Sequence, residues 1–301
     1  MPTPLAAFRK RFLLSVEDLA ERIGVPETQV KKWERRWEDI PPENLRDIAV
    51  IYGVSVSSIL GEECPVEEWG KYPFAISEAE PLYGTLRLTF SEGKEADFPV
   101  SQKARESILT QLGERCFTMS SSTPGTEPWL QFWTMDDRMV LARLSHVKEI
   151  ALLSDDERQA PYHAHPEVYR WLGKLWYGEE EEEQPVGPAL RGALGRHYAE
   201  LGGRTVAQQQ ATHALLVFTD GRELAVSCNM PNEASAFFAL DLSSESIPNC
   251  AFLQIEDNYD YHEAYFVNID ALRLISVPAE AYLRNTGPDA EAEAGANDDD
   301  D

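Results

Sequence analysis

Gly24, Val25 and Pro26 sit between two stretches of helical spacing and leave the chain around them few ways to fold. Glycine lets a helix end in a left-handed turn, and proline presets φ for the start of the next one. Upstream, Ser15 stands where an N-cap belongs, Asp18 follows three residues on, and Leu19, Ala20 and Ile23 share one face. Downstream, "PETQVKKWERR" restarts a helix with Val30 and Trp33 turned inward. Leu5, Phe8 and Phe12 recur at helical spacing over residues 5–13, with Arg9, Lys10 and Arg11 elsewhere on the circumference. Pro41 and Pro42 open a fourth helix with Leu45, Ile48, Ala49 and Tyr52 on its inner face, and Gly53 closes it. Ser55 is placed to cap a short fifth helix ending in Ile59 and Leu60. Five short helices in sixty residues, two of them joined by a tight turn, predict a helix-turn-helix bundle.

Charge separates this segment from the rest. The 301-residue chain carries a net −25, yet residues 1–61 hold nine Lys/Arg and nine Asp/Glu, so the remainder carries the whole excess. An acidic body repels phosphate, and bulk charge alone argues against nucleic-acid binding. The local charge of the second helix of the pair argues the other way: Lys31, Lys32, Arg35 and Arg36 concentrate there within a neutral segment.

The string "LSVEDLAERIGVPETQVKKWERR…NLRDIAVIYGVSVSSIL" resembles the Cro/C1-type (XRE family) helix-turn-helix. The likeness covers about residues 5–60, with Ala20, Gly24, Val30, Glu34 and Leu45 in register. It implies DNA binding as a dimer, with the second helix of the motif in the major groove. Carried over by position, Glu27, Thr28 and Lys32 face base edges, and Gln29, Lys31 and Arg35 lie at the phosphates or the groove margin. Lysine bonds guanine O6/N7, glutamate accepts from cytosine N4, and threonine touches a thymine methyl. Two positions depart from the family pattern: Val16 replaces a phosphate-holding glutamine, and Arg36 replaces a glycine. Leu19, Val30 and Trp33 read as core.

Beyond residue 61 the sequence is read in segments. Residues 62–81 carry three prolines and no clean period, which predicts a linker. "LRLTFSEGKEADFPV" (86–100) parallels "ALLVFTDGRELAVSC" (214–228), each an alternating strand pair about a turn with Gly93 or Gly221. "WLQFWTMDDRMVLARLSHVKEIALL" (129–153) parallels "FLQIEDNYDYHEAYFVNIDALRLISV" (252–277) at a spacing of about 125 residues. A duplicated small β-rich domain is the reading, each copy an SH3-like or Sm-like barrel; two unrelated hairpins would share much of the pattern. The predicted organisation is α+β and multidomain. Residues 1–61 form a five-helix bundle, 62–81 a linker, 82–178 repeat 1 with its C-terminal helix and 179–213 an acidic loop and helical connector. Residues 214–285 form repeat 2 and 286–301 a disordered acidic tail. Trp171, Leu172, Leu175 and Trp176 make a stripe expected to pack on the first copy, and Glu179–Glu183 a solvated run. Leu190, Leu194, Tyr198 and Leu201 suggest an amphipathic helix.

Few residues in this chain have the spacing of a catalytic or metal site. His163 and His165 sit two apart, but no cysteine or acid has matching ligand spacing, so no metal site is expected. The chain has no GxSxG, Walker A loop or GxGxxG, so neither enzymatic activity nor a cofactor is expected. Four dispersed cysteines fit a reducing cytoplasm, and neither a secretory signal nor a membrane span is expected. The function expected is a sequence-specific transcriptional regulator, a homodimer on an inverted-repeat operator in double-stranded DNA. Its β-rich region would oligomerise, sense a small effector or bind a protein partner. The rival reading is an antitoxin-like or phage-derived interaction protein whose β-rich region binds a protein.

Overall fold

The computed structural model describes residues 4–54, 56–60, 82–113, 129–154, 161–177, 186–228, 252–257, 263–279 and 281–282. The Ser55 cap, the linker, the five-glutamate run and the acidic tail lie outside them. The chain divides into two compact units, Met1–Pro81 with Ala164–Ala207, and Leu82–His163 with Gln208–Asp301. The fold is α+β.

The helical unit begins with α1 (Pro4–Arg11), α2 (Val16–Ile23), α3 (Glu27–Trp33), α4 (Pro42–Tyr52) and α5 (Val56–Leu60), with a 3-10 turn at Trp37–Asp39. Ser15 and Asp18 form a reciprocal capping box at α2: Ser15 Oγ accepts from Asp18 N–H, and the Asp18 carboxylate accepts from Ser15 N–H. Gly24 ends α2 at φ +70, where a β-carbon would be strained. Leu5, Leu19, Ile23, Val30, Trp33, Ile48, Tyr52 and Ile59 then close one core.

That core is not self-contained. Two later helices, α7 (Pro166–Tyr177) and α8 (Pro188–Leu201), pack onto α4, and α8 also onto α2. Arg46 of α4 lies over the Trp171 ring of α7, centroid distance 5.1 Å. The sequence reading placed α7 with the first β segment and its apolar stripe against that segment. The structure instead groups both helices with the helix-turn-helix, a long-range partnership that no local period encodes. Asp47 is the latch. Its carboxylate is fully buried and accepts N–H bonds from Leu190 (2.9 Å) and Ala189 (3.4 Å), two unpaired amides in the first turn of α8. A β-carbon at Gly187 would collide with that carboxylate, so glycine is required there.

The second unit holds β1 (Leu82–Phe90), β2 (Glu95–Ser101), α6 (Gln102–Gly113), β3 (Trp129–Thr134), β4 (Arg138–Arg143) and β5 (Val147–Leu153). After α9 (Arg204–Thr212), which begins in the helical unit, come β6 (His213–Phe218), β7 (Glu223–Ser227), β8 (Phe252–Asp257), β9 (Glu263–Asn268) and β10 (Leu272–Pro278). The strand orders are β2-β1-β5, β3-β4-β10-β6-β7 and β8-β9, antiparallel throughout.

The strand pairings in the two halves of this unit can be compared by sequence offset. Offsets of 125 residues carry β4 and β5 onto β9 and β10, 123 carries β3 onto β8, and 128 carries Phe90 of β1 onto Phe218 of β6. Under these offsets Arg87 opposite Ala151 becomes Leu215 opposite Ser276, and Leu88 opposite Ile150 becomes Leu216 opposite Ile275. The register breaks at equivalent places, just before Phe90–Val147 and just after Leu272–Phe218. Ser91 N–H donates to His146 O, and Thr219 N–H donates to Ala271 O. A 3-10 turn precedes both last strands, at Leu144–His146 and Ile269–Ala271. In the first half Leu86, Leu88 and Phe90 pack over Leu130, Phe132 and Ala142; in the second, Ala214, Leu216 and Ile275 pack over Leu253, Ile255 and Val267.

Candidate nucleic-acid interface

Helix α3 is anchored by its inner face and offers its outer face. Val30 and Trp33 are buried, and Trp33 Nε1 donates to Asp39 O at 3.1 Å, tying α3 to the 3-10 turn. Opposite them, Thr28, Lys31, Lys32, Arg35 and Arg36 line an open concavity of about 440 Å³. Four cations and one hydroxyl converge there; the i, i+4 spacing of Thr28 and Lys32 puts them on one face of α3, and Arg35 and Arg36 follow from the turn after it. Such a face attracts phosphate and can reach base edges.

Two acids temper this charge. Lys31 Nζ lies 2.7 Å from Glu27 Oε2, an i, i+4 pair, and Lys32 Nζ lies 3.1 Å from Asp39 Oδ2. All four side chains are substantially exposed, so these pairs are weak and can be exchanged for contacts to an anion. Arg9 is different in kind. Its guanidinium grips Glu34 with two bonds, Nε to Oε1 at 2.5 Å and Nη2 to Oε2 at 3.2 Å, and its Nη1 donates to Leu14 O. The hydrogen bond to Glu34 raises the Arg9 pKa further. Arg9 thereby ties α1 to the residue that ends α3.

Of the six residues expected at DNA, the structure gathers Thr28, Lys31, Lys32 and Arg35 on the concavity, with Glu27 beside them through Lys31. Gln29 is half-buried and lies outside the lining. Arg36, counted in the sequence among the cations concentrated here but not among the DNA-contacting residues, also lines the concavity, from the extended residue before the 3-10 turn. Asp39 and the Arg9–Glu34 clamp were not legible, because their partners lie across a turn or 25 residues away. Val16, at the position of the family's glutamine, packs partly against the core.

Among the described residues no group of three or more His, Cys, Asp or Glu is placed to hold a metal ion, and no helix is long and apolar enough to cross a membrane. His163 Nδ1 lies 3.3 Å from Pro161 O, and His165 Nδ1 accepts from Glu167 N–H at 3.2 Å, capping α7. Burial lowers the pKa of His165 to about 4, so the ring is neutral and can accept that bond.

Comparison with known proteins adds one match. No curated protein and no solved structure matched the chain. Residues 5–59 match the family described as helix-turn-helix. This N-terminal segment is a helix-turn-helix domain of the Cro/C1 type.

Proposed function

We propose that this protein is a sequence-specific, DNA-binding transcriptional regulator acting in the cytoplasm, with no catalytic role of its own. The observation that carries the reading is the cationic concavity on α3, set in a domain that matches the helix-turn-helix family. In this reading Glu27, Thr28 and Lys32 address base edges, while Gln29, Lys31, Arg35 and Arg36 answer to phosphates and the groove margin. The Glu27–Lys31 and Lys32–Asp39 pairs are exchanged on binding: phosphate takes Lys31 from Glu27, which frees the carboxylate for a cytosine amine. A homodimer sets two such helices about one helical turn of DNA apart, so the operator is an inverted repeat.

The β unit is a tandem of two copies of one module, supported by the shared register, the matching break in it and the paired 3-10 turns. Each copy, a three-stranded sheet packed over a hairpin, has the strand inventory of a small SH3-like barrel. The tandem serves assembly or the binding of a protein partner or effector, which also accommodates the antitoxin-like reading.

The test is the salt dependence of duplex binding by the full-length chain, beside a Lys31→Gln/Arg35→Gln variant. Affinity is expected to fall steeply with salt, and the variant's slope of log affinity against log salt to be smaller by about 2. An unchanged slope would remove these residues from the phosphate-contacting surface.

A further inference from the structure

The two modules of the β unit are joined edge to edge, and the joint leaves one unused half on each module. β4 of the first pairs with β10 of the second, with Leu141 opposite Ile275 and Met139 opposite Val277. Trp129 and Leu141 stand on the face of the β3–β4 hairpin that turns away from its own core, and they are buried in the core of the second module, 3% and 5% exposed. The joint is therefore a strand pairing reinforced by apolar side chains that enter the neighbour's core.

The offset of 125 residues makes β5 the counterpart of β10 and β9 the counterpart of β4. Among the described residues β5 pairs only with β1, and β9 only with β8. Exposure follows the pairing. β10 is buried along its whole length, whereas Lys148, Glu149 and Leu153 of β5 are exposed. Phe252 and Phe266, the counterparts of Trp129 and Leu141, are 55% and 63% exposed. Two phenylalanines on an edge strand and its neighbour make a surface that proteins ordinarily cover.

We propose that β9 of one chain pairs antiparallel with β5 of a second copy of this chain, repeating between molecules the joint that β4 and β10 make within one. The occupant follows from the internal joint, because β5 repeats the strand that receives β4 there, and β9 repeats β4 itself. Carrying the internal register over sets Phe266 opposite Ile150 of the second copy, and Ala264 opposite its Leu152. Phe252 and Phe266 then lie against the second copy's first-module core, as Trp129 and Leu141 do against the second-module core. In this register Glu149 falls opposite Val267. The joint is head-to-tail, and copies joined this way close into a ring or extend. The inference rests on the tandem reading of the β unit and is independent of DNA binding.

The test reads mass and cross-linking on the full-length chain without DNA, so its failure and that of the regulator reading are separable. Light scattering of the wild-type chain is expected to give a mass of at least two chains. Phe266→Lys, a change at an exposed position, is expected to give one chain with unchanged far-ultraviolet circular dichroism. Directly opposed residues on antiparallel strands hold their β-carbons within disulfide reach. A mixture of Ile150→Cys and Phe266→Cys chains is therefore expected to form a thiol-reducible two-chain species that neither forms alone. A monomeric wild type would overturn the proposal. So would a multimer that Phe266→Lys leaves intact and that gives no mixed cross-link. A chain carrying both cysteines that bridges only within itself would also overturn it, showing that the two edges close inside one molecule.

Discussion

At the level of single residues, the outer face of α3 reads directly from helical arithmetic. Thr28, Lys31, Lys32 and Arg35 converge because three- and four-residue spacing places them together, and the structure adds only Arg36 to that set. What spacing conceals is which charges are already engaged. Lys32 is shared with Asp39, so replacing it would remove the proposed base contact and also release an acid beside it. Lys32→Ala is expected to weaken operator binding by about 1–3 kcal/mol and to relax preference at one base position. Titration against the operator and its single-base variants checks both effects. Glu27→Gln should act oppositely on non-specific duplex: it removes a negative charge near the polyanion and frees Lys31, so affinity for unrelated sequence rises while discrimination falls. A ratio of specific to non-specific affinity equal to that of the wild type would remove Glu27 from base recognition.

Among the elements, the decisive feature is the latch between α4 and α8, and it was not legible. Asp47 sits beside Ile48 and Ala49, where a charged residue reads as solvent-facing; its partners are two amides more than 140 residues away. Burial raises the Asp47 carboxyl above its ordinary value, against the opposing pull of the Leu190 and Ala189 amides. A raised carboxyl favours the folded state most when protonated, and that contribution is lost as pH rises through the folded-state value. Two substitutions therefore separate charge from hydrogen bonding. At neutral pH Asp47→Asn, which keeps an acceptor and sheds the charge, should melt at or near the wild-type temperature. Asp47→Ala orphans both amides and should destabilise the helical unit by about 1–2 kcal/mol. Gly187→Ala should destabilise as well, because its methyl collides with the carboxylate. Equal melting of all three with the wild type would dissolve the latch. The histidines of the same unit give a second expectation. His165 and His197 are each lowered to about 4 by burial. A depressed histidine stabilises the fold above its unfolded value near 6.5, and that stability drains as pH falls through the interval down to about 4. Thermal unfolding followed by far-ultraviolet circular dichroism should show the helical transition falling between pH 7 and pH 5. A flat profile would contradict neutral burial of these rings.

For the whole molecule, the sequence disclosed the helix-turn-helix and the strand pairs but not which unit each later helix joins. The helix-turn-helix and both β segments were legible because each carries its own period and turn chemistry, with Gly93 and Gly221 closing equivalent hairpins. Which unit α7 and α8 join was not, since an apolar stripe such as Leu190–Leu194 declares that it is covered and not by what. The chain leaves the helical unit after Pro81, returns at Ala164 and leaves again after Ala207, so the helical unit is completed by sequence that follows β5. Truncation at residue 61 should accordingly yield a less stable helical unit than the full-length chain, measured by hydrogen exchange at amides of α4. Everything proposed for α3 depends on its reading DNA bases. The most direct test of that reading is selection from random duplexes by the full-length protein, beside a variant with Glu27, Thr28 and Lys32 all changed to alanine. An enriched inverted repeat that the variant fails to select is expected. Enrichment of the same repeat by both proteins, or by neither when both are folded, would contradict it.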